Sequence, residues 1–188
     1  MKRSINLKIK SMFKWKEKFI EDNFYRPRWY SIFFSPYFII RYSLYKNIAK
    51  FAKGLNGCKK ILDVGCGLKP YESLFFTHEY IGIDVESGYW SEVDKKTNTY
   101  FDGINIPFDN NSFDVVLCTE VLEHASDPDK LLKEIFRVLK DDGILYLTVP
   151  FVWNEHEVPY DFRRFTQYGI KKMLNDNKIV SEQVIPTS

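Results

Sequence analysis

The chain has 188 residues and a formal charge of +2, enough for one α/β domain with a buried core and too short for two with independent cores. So small a charge does not favour a nucleic-acid partner, and no stretch approaches the roughly 20 consecutive apolar residues that a membrane-crossing helix needs. Aromatic residues reach 17% and crowd into 13–45 and 151–168, so those two stretches require local explanations.

In chain order, the first element is a basic arm. Lys2, Arg3, Lys8, Lys10, Lys14, Lys16 and Lys18 stand against Glu17 alone, a local charge of +6. Followed by Trp15, Phe19, Phe24, Trp29 and Phe33, such an arm suits peripheral contact with an anionic membrane surface. The simpler reading is a solvated, frayed terminus. Lysines interrupt the chain up to Lys18, so no secretory signal is read, and the expected location is cytoplasmic with membrane association through the arm as an addition. Residues 1–35 are assigned to this extension and residues 36–188 to the folded domain. Cys58, Cys66 and Cys118 are odd in number and lack a neighbouring His or Cys at ligand spacing, so neither a disulfide framework nor a metal site is expected. Cys118 reads as a core residue.

Ile40, Leu44, Ile48 and Phe51 recur at helical spacing and predict an amphipathic helix ending in a loop at 54–57. Short apolar runs at 60–64, 80–85, 113–119 and 144–149 read as buried parallel strands. Between the last two lies a helix with Asp127 as N-cap and Pro128 at its first position. Leu131, Leu132, Ile135, Val138 and Leu139 form its stripe, and Asp141-Asp142-Gly143 its stop. Thr166 caps a further short helix carrying Ile170, Met173 and Leu174. Repeated βαβ units imply a Rossmann-like, doubly wound, mostly parallel sheet with helices on both faces and a ligand site at the carboxyl ends of its strands.

In Ile61-Leu62-Asp63-Val64-Gly65-Cys66-Gly67, a strand runs into glycines that permit a tight turn and let a ligand approach the backbone. A dinucleotide fingerprint would place a third glycine where Pro70 stands, which counts against an NAD-dependent oxidoreductase. Asp84, at the end of the second strand, sits where a carboxylate can accept from ribose hydroxyls.

Four ordered segments, ILDVGCG at 61–67, YIGIDV at 80–85, FDGINIPFDNNSFDVVLCTEVLEH at 101–124 and LLKEIFRVLKDDGILYLTVP at 131–150, resemble class I methyltransferases that use S-adenosyl-L-methionine, specifically the broad type 11 family. The resemblance covers about 59–184. It implies that Asp63 and the backbone of Gly65, Cys66 and Gly67 hold the methionine end of the cofactor. It likewise implies that Asp84 with Val85 takes the ribose, that Asp102 with Gly103 and Ile104 lies by the adenine, and that Glu120 and Val121 line the pocket near the sulfonium. The family's third glycine is here Lys69, a residue read as a surface lysine by default and as an acidic-substrate contact otherwise. His124, closing EVLEH, reads as a structural group bonded to backbone.

The segment 150–166 leaves the carboxyl edge of the sheet and is rich in His, acidic, Arg and aromatic residues, which makes it the candidate substrate loop. His156, between Glu155 and Glu157, and Asp161 are the candidate general bases should the acceptor lose a proton. Trp153, Tyr160, Arg163 and Arg164 are the candidate acceptor contacts. The competing reading pairs Asp161 with Arg164 as an ion pair that fixes the loop, with His156 on the surface.

Only one more strand fits in 178–185, whereas the family normally finishes with an antiparallel pair. A last strand is therefore expected to be missing, through truncation or completion by a partner. The expected function is methyl transfer to a small polar or a glycan- or lipid-linked acceptor, without nucleic acid, since the cations sit at one end and no Asn-Pro-Pro-Tyr or Asp-Pro-Pro-Tyr segment occurs. The alternative is a cofactor-binding partner subunit without turnover. The sequence leaves the oligomeric state open.

Overall fold

The computed structural model describes Pro27 and residues 29–33, 37–86 and 96–177. The basic arm, with its expected membrane contact, and the terminal strand expected at 178–185 lie outside the described residues. The chain forms two compact units that divide between Leu55 and Asn56. Among the described residues no helix is long and apolar enough to cross a membrane.

In the first unit, helix α1 (Phe38–Gly54) buries Leu44, Ile48 and Ala52, one residue per turn on one face. Ile40, expected on that face, is instead exposed. In the second unit five strands form one sheet in the order β3-β2-β1-β4-β5: β1 (Lys60–Val64), β2 (Glu79–Val85), β3 (Thr99–Phe101), β4 (Phe113–Thr119) and β5 (Leu139–Thr148). Every neighbouring pair is parallel. Strand order reverses at β1, where the chain crosses from the β2 side to β4, and such a switch point opens a crevice at the carboxyl ends.

The central strands read as continuous apolar runs because both of their faces are covered. Leu62, Val64, Val116 and Cys118 pack in one cluster with Leu131, Leu132, Ile135 and Val138 of α2 (Pro128–Val138) and Ile170 and Leu174 of α3 (Gln167–Asp176). Ile61, Val115 and Leu117, which alternate with them, are also fully buried. Both helix starts follow their sequence signals: Asp127 accepts from the Lys130 amide at 3.1 Å and Thr166 from the Gly169 amide at 2.9 Å.

Two elements depart from expectation. β3 was not anticipated, because it has three residues of which only Phe101 is partly buried, too short for a period to register. Leu139, expected on the helix, is already extended at φ −74° and ψ 139° and pairs with Phe113. The next pairing joins Val115 to Ile144, so residues 140–143 bulge opposite Asp114 alone. A Cβ on Gly143 would lie 2.7 Å from the Leu139 side chain and 2.9 Å from the Lys140 carbonyl, so the bulge closes on a glycine.

Candidate functional site

Leaving β1, Gly65 and Gly67 take φ +70° and +48°, left-handed values that glycine adopts without strain. A Cβ on Gly65 would lie 2.5 Å from Val121 Cγ2, so the loops after β1 and β4 are in direct contact. Among the described residues, a Cβ on Gly67 would meet nothing within 4 Å, so none of them covers the crest of the turn. The amides of Gly65 and Cys66 donate to the Ile83 carbonyl at 2.9 and 3.0 Å, and that of Gly67 to Asp84 Oδ2 at 2.8 Å. The glycines therefore offer a ligand close backbone approach rather than amide donors. Asp84 Oδ1 also accepts from the Val85 amide at 2.7 Å, which fixes the carboxylate at the carboxyl end of β2.

Asp63 is buried at the end of β1, and burial, reinforced by Asp84, pushes its carboxyl up to about 7 although the Tyr80 hydroxyl donates to it. An aspartate in the unfolded chain titrates near ~3.9. The folded state thus holds this proton more tightly, and the stability it contributes is full below the unfolded value and lost as pH rises through about 7. In Asp63→Asn that loss is absent. The stability of the variant relative to the native chain, read by urea unfolding, is expected to climb across this window and then level. A flat difference would mean that Asp63 titrates as an exposed carboxyl does.

Lys69, read as a surface lysine, is instead buried. Its ammonium donates to Asn98 Oδ1, lies 3.7 Å from Glu72 and stands 5.9 Å over the Tyr80 ring. The missing side chain of Gly82 makes the room, since a Cβ there would fall 2.5 Å from Lys69 Cε and 2.6 Å from Cys66 Sγ. Cys66 is a buried thiol that burial pushes well above its usual range.

After β3, Asp102 is exposed and accepts from the amides of Ile104 and Asn105 at 2.8 and 2.6 Å and from the Asn105 side chain at 2.6 Å. These bonds, the side-chain one first, hold its carboxyl below the usual carboxylate range. Gly103 follows at φ +86°, where a Cβ would lie 3.4 Å from Val85 Cγ1, so the turn after β3 adjoins the end of β2. From α2, Arg137 donates to the carbonyls of Ile106 and Phe108, and Glu134 accepts from the Ile106 amide, which staples the segment after Asp102 to the helix. Glu120 follows β4 at φ +56°, a left-handed value that costs a non-glycine residue about 1 kcal/mol, and its amide donates to the Thr148 carbonyl at 3.1 Å.

In the segment after β5, Arg164 makes a two-pronged bond to Asp161 at 2.6 and 2.8 Å and donates to the carbonyls of Trp153, Asn154 and Arg163. The Asp161 side chain is 2% exposed and also accepts from the His156 amide at 3.0 Å. Arg164 foremost holds that carboxyl well below the usual range, which makes it a weak base. Arg164, expected to contact an acceptor, directs every guanidinium nitrogen at a group of the same loop. The loop-fixing ion pair that competed with the catalytic reading is thus present. Arg163 donates to the carbonyls of Ala125 and Ser126, binding this segment to the one after β4. Tyr160 is half exposed, and the Trp153 ring lies 6.4 Å from that of His156.

His156 is not a lone surface group. Its Nε2 lies 3.1 Å from Nε2 of His124, whose Nδ1 faces the Tyr160 carbonyl at 3.0 Å. Glu123, unremarked in the sequence, is fully buried beside them, and burial followed by the charge of Glu120 pushes its carboxyl up to about 8. The EVLEH segment was visible as a motif, but nothing local to it signals that Glu123 is enclosed.

Residues 62–147 match a family described as a methyltransferase domain. Over 132 residues the chain is 33% identical to the sterol 24-C-methyltransferase of Yarrowia lipolytica, covering 63% of this chain and 35% of that one. Over 130 residues it is 28% identical to the tRNA U34 carboxymethyltransferase of Campylobacter lari, covering 63% and 43%. The chain thus spans well under two thirds of these relatives. Among solved structures, the complex of the Haloferax volcanii Trm112 methyltransferase activator with a methyltransferase is similar at a TM-score of 0.54 and 25% identity, covering 69% of this chain and 66% of that one.

Proposed function

The chain belongs, through residues 62–147, to the type 11 methyltransferase family, and from that premise we propose that it transfers the methyl group of S-adenosyl-L-methionine to an acceptor held by the 150–166 segment. The observation that carries this reading is the open glycine turn with Asp84 fixed beside it at the switch point of the sheet. These residues fit the family's methyl donor, because a side chain at Gly67 would occupy the crest that a ligand must approach. In this reading Asp63 and the turn of Gly65, Cys66 and Gly67 take the methionine end. Asp84 and Val85 take the ribose, Asp102 and Gly103 the adenine, and Glu120 and Val121 the neighbourhood of the sulfonium.

S-adenosyl-L-methionine supplies an already activated methyl group. The chain's task is to align acceptor and donor in line and to shield the site from water, which is worth several kcal/mol of barrier at about 7 or more in well-oriented systems. We assign acceptor contact to Trp153, Tyr160 and Arg163, and loop positioning to Arg164 and Asp161. Removal of an acceptor proton, where needed, falls to the histidine pair rather than to Asp161, whose carboxylate Arg164 keeps ionised. The proposed acceptor is a small polar molecule or a glycan- or lipid-linked one, met in the cytoplasm or, through the basic arm, at a membrane surface.

A second reading, a cofactor-binding subunit that acts through a partner, draws on the similarity to a methyltransferase solved with its activator. One assay separates the readings. The chain is incubated with donor labelled in the methyl group and with separate pools of small polar metabolites, lipid-linked glycans and tRNA. Label in either of the first two pools supports the proposal. Label in tRNA alone overturns the acceptor class, and cofactor binding without transfer to any pool supports the partner reading.

A further inference from the structure

We infer that Glu123, His124 and His156 hold a divalent transition-metal ion of the zinc type beside the carboxyl end of β4, a site that does not depend on the methyl-transfer reading. The three ligating atoms lie within 4.8 Å of one another. His124 Nδ1 is 3.0 Å from the Tyr160 carbonyl, and His156 Nδ1 is 3.1 Å from the Asn154 carbonyl and 3.2 Å from Asp161 Oδ2. Those oxygens carry no hydrogen, so each Nδ1 must donate, and each neutral ring is left with a bare lone pair on Nε2. The two Nε2 atoms face each other at 3.1 Å. Two lone pairs at that separation repel unless a cation lies against both.

A shared proton would satisfy the nitrogens but not the third group. Glu123 is 0% exposed, and neither of its carboxylate oxygens has a hydrogen-bond partner among the described residues. Its Oε1 stands 3.9 Å from His124 Nε2. Enclosed without partners, the group is costly as a carboxylate and still unsatisfied as a neutral acid, and a divalent ion removes that cost where one proton between two rings does not. Tetrahedral zinc with bonds of about 2.0–2.1 Å spaces its nitrogen ligands roughly 3.3 Å apart, close to the separation of the two histidines.

The outer partners match as well. Ligating histidines donate their other ring N–H to a carbonyl or carboxylate, and here the carboxylate is Asp161, clamped by Arg164. Two nitrogens and one carboxylate favour zinc over magnesium and leave a fourth position open. Glu157, 4.0 Å from His124 Nε2 and partly exposed, stands at its rim. The ion would join the segment after β4 to the segment after β5 and would take the Nε2 lone pairs, so the histidine pair can serve as a base only in the metal-free chain.

The test uses the full chain, stripped with a chelator and titrated with Zn²⁺, and with Co²⁺ as an optical probe. Binding of one equivalent is expected, with visible cobalt bands and no near-ultraviolet thiolate band, unchanged in Cys58→Ser. His156→Ala, a partly exposed position whose loss leaves the core intact, and Glu123→Gln, which preserves shape, are each expected to weaken binding at least about tenfold. Circular dichroism confirms that each is folded. Absence of binding to the folded native chain, binding that neither variant weakens, or a thiolate band lost in Cys58→Ser would overturn the site.

Discussion

Replacing Asp84 by Asn is expected to lower the affinity for S-adenosylhomocysteine, the demethylated cofactor, about a hundredfold while leaving the fold intact. The carboxylate is held by the Gly67 and Val85 amides at 2.8 and 2.7 Å, so it is pre-oriented and loses little entropy when a ligand arrives. Hydrogen bonds to a charged group contribute about 1.5–3 kcal/mol each. An amide in place of the carboxylate turns one acceptor into a donor and weakens the other, a loss of about 3 kcal/mol, or roughly a hundredfold. Asparagine matches the carboxylate in size, but its amino group must face either the Gly67 or the Val85 amide, so the variant is expected to stay folded in buffer and to unfold at a lower urea concentration than the native chain. Calorimetric titration reads the affinity, and a value within about threefold of native would place the ribose elsewhere.

The largest expected loss of stability follows Arg164→Met. The Asp161 side chain is 2% exposed and would lose a two-pronged partner, leaving an enclosed carboxylate with the His156 amide and ring as its remaining partners. Removing one member of such a pair costs about 3–5 kcal/mol. The pH dependence gives a second signature. In the native chain the bonds from Arg164 hold the Asp161 carboxyl well below its usual range, so their stabilisation is present above the unfolded value of ~3.9 and is lost as pH falls below it. In the variant burial favours the protonated acid and that acid-side loss disappears, so the stability gap is expected to narrow on acidification. Urea unfolding at neutral and acidic pH reads both. A neutral-pH cost under about 1 kcal/mol would mark the pair as a solvent-exposed one.

Much of this framework was legible because its signals are local. Asp127 and Pro128 announce a helix start, and the apolar runs at 60–64 and 113–119 are long enough to mark buried strands. β3 has three residues and draws its place from pairing with β2, which no period in the sequence records. Lys69 is buried by Asn98, 29 positions later, and by the bare backbone of Gly82, so its surroundings are assembled by the sheet. Glu123 and His124 are covered by a segment more than 30 residues downstream. His156 reaches His124, and the Phe162 amide donates to the Glu123 carbonyl. Residue types and order pointed to the cofactor side of the site. The acceptor side rests on how far each arginine is already engaged within the chain, Arg164 through all three guanidinium nitrogens and Arg163 through two, and that is a property of packing.

Calorimetric titration of the full chain with S-adenosylhomocysteine, with NAD as the comparison ligand, decides whether the glycine turn is a methyl-donor site. Saturable one-to-one binding of the former and none of the latter is expected. A folded chain that binds NAD, or that binds neither, would contradict that assignment.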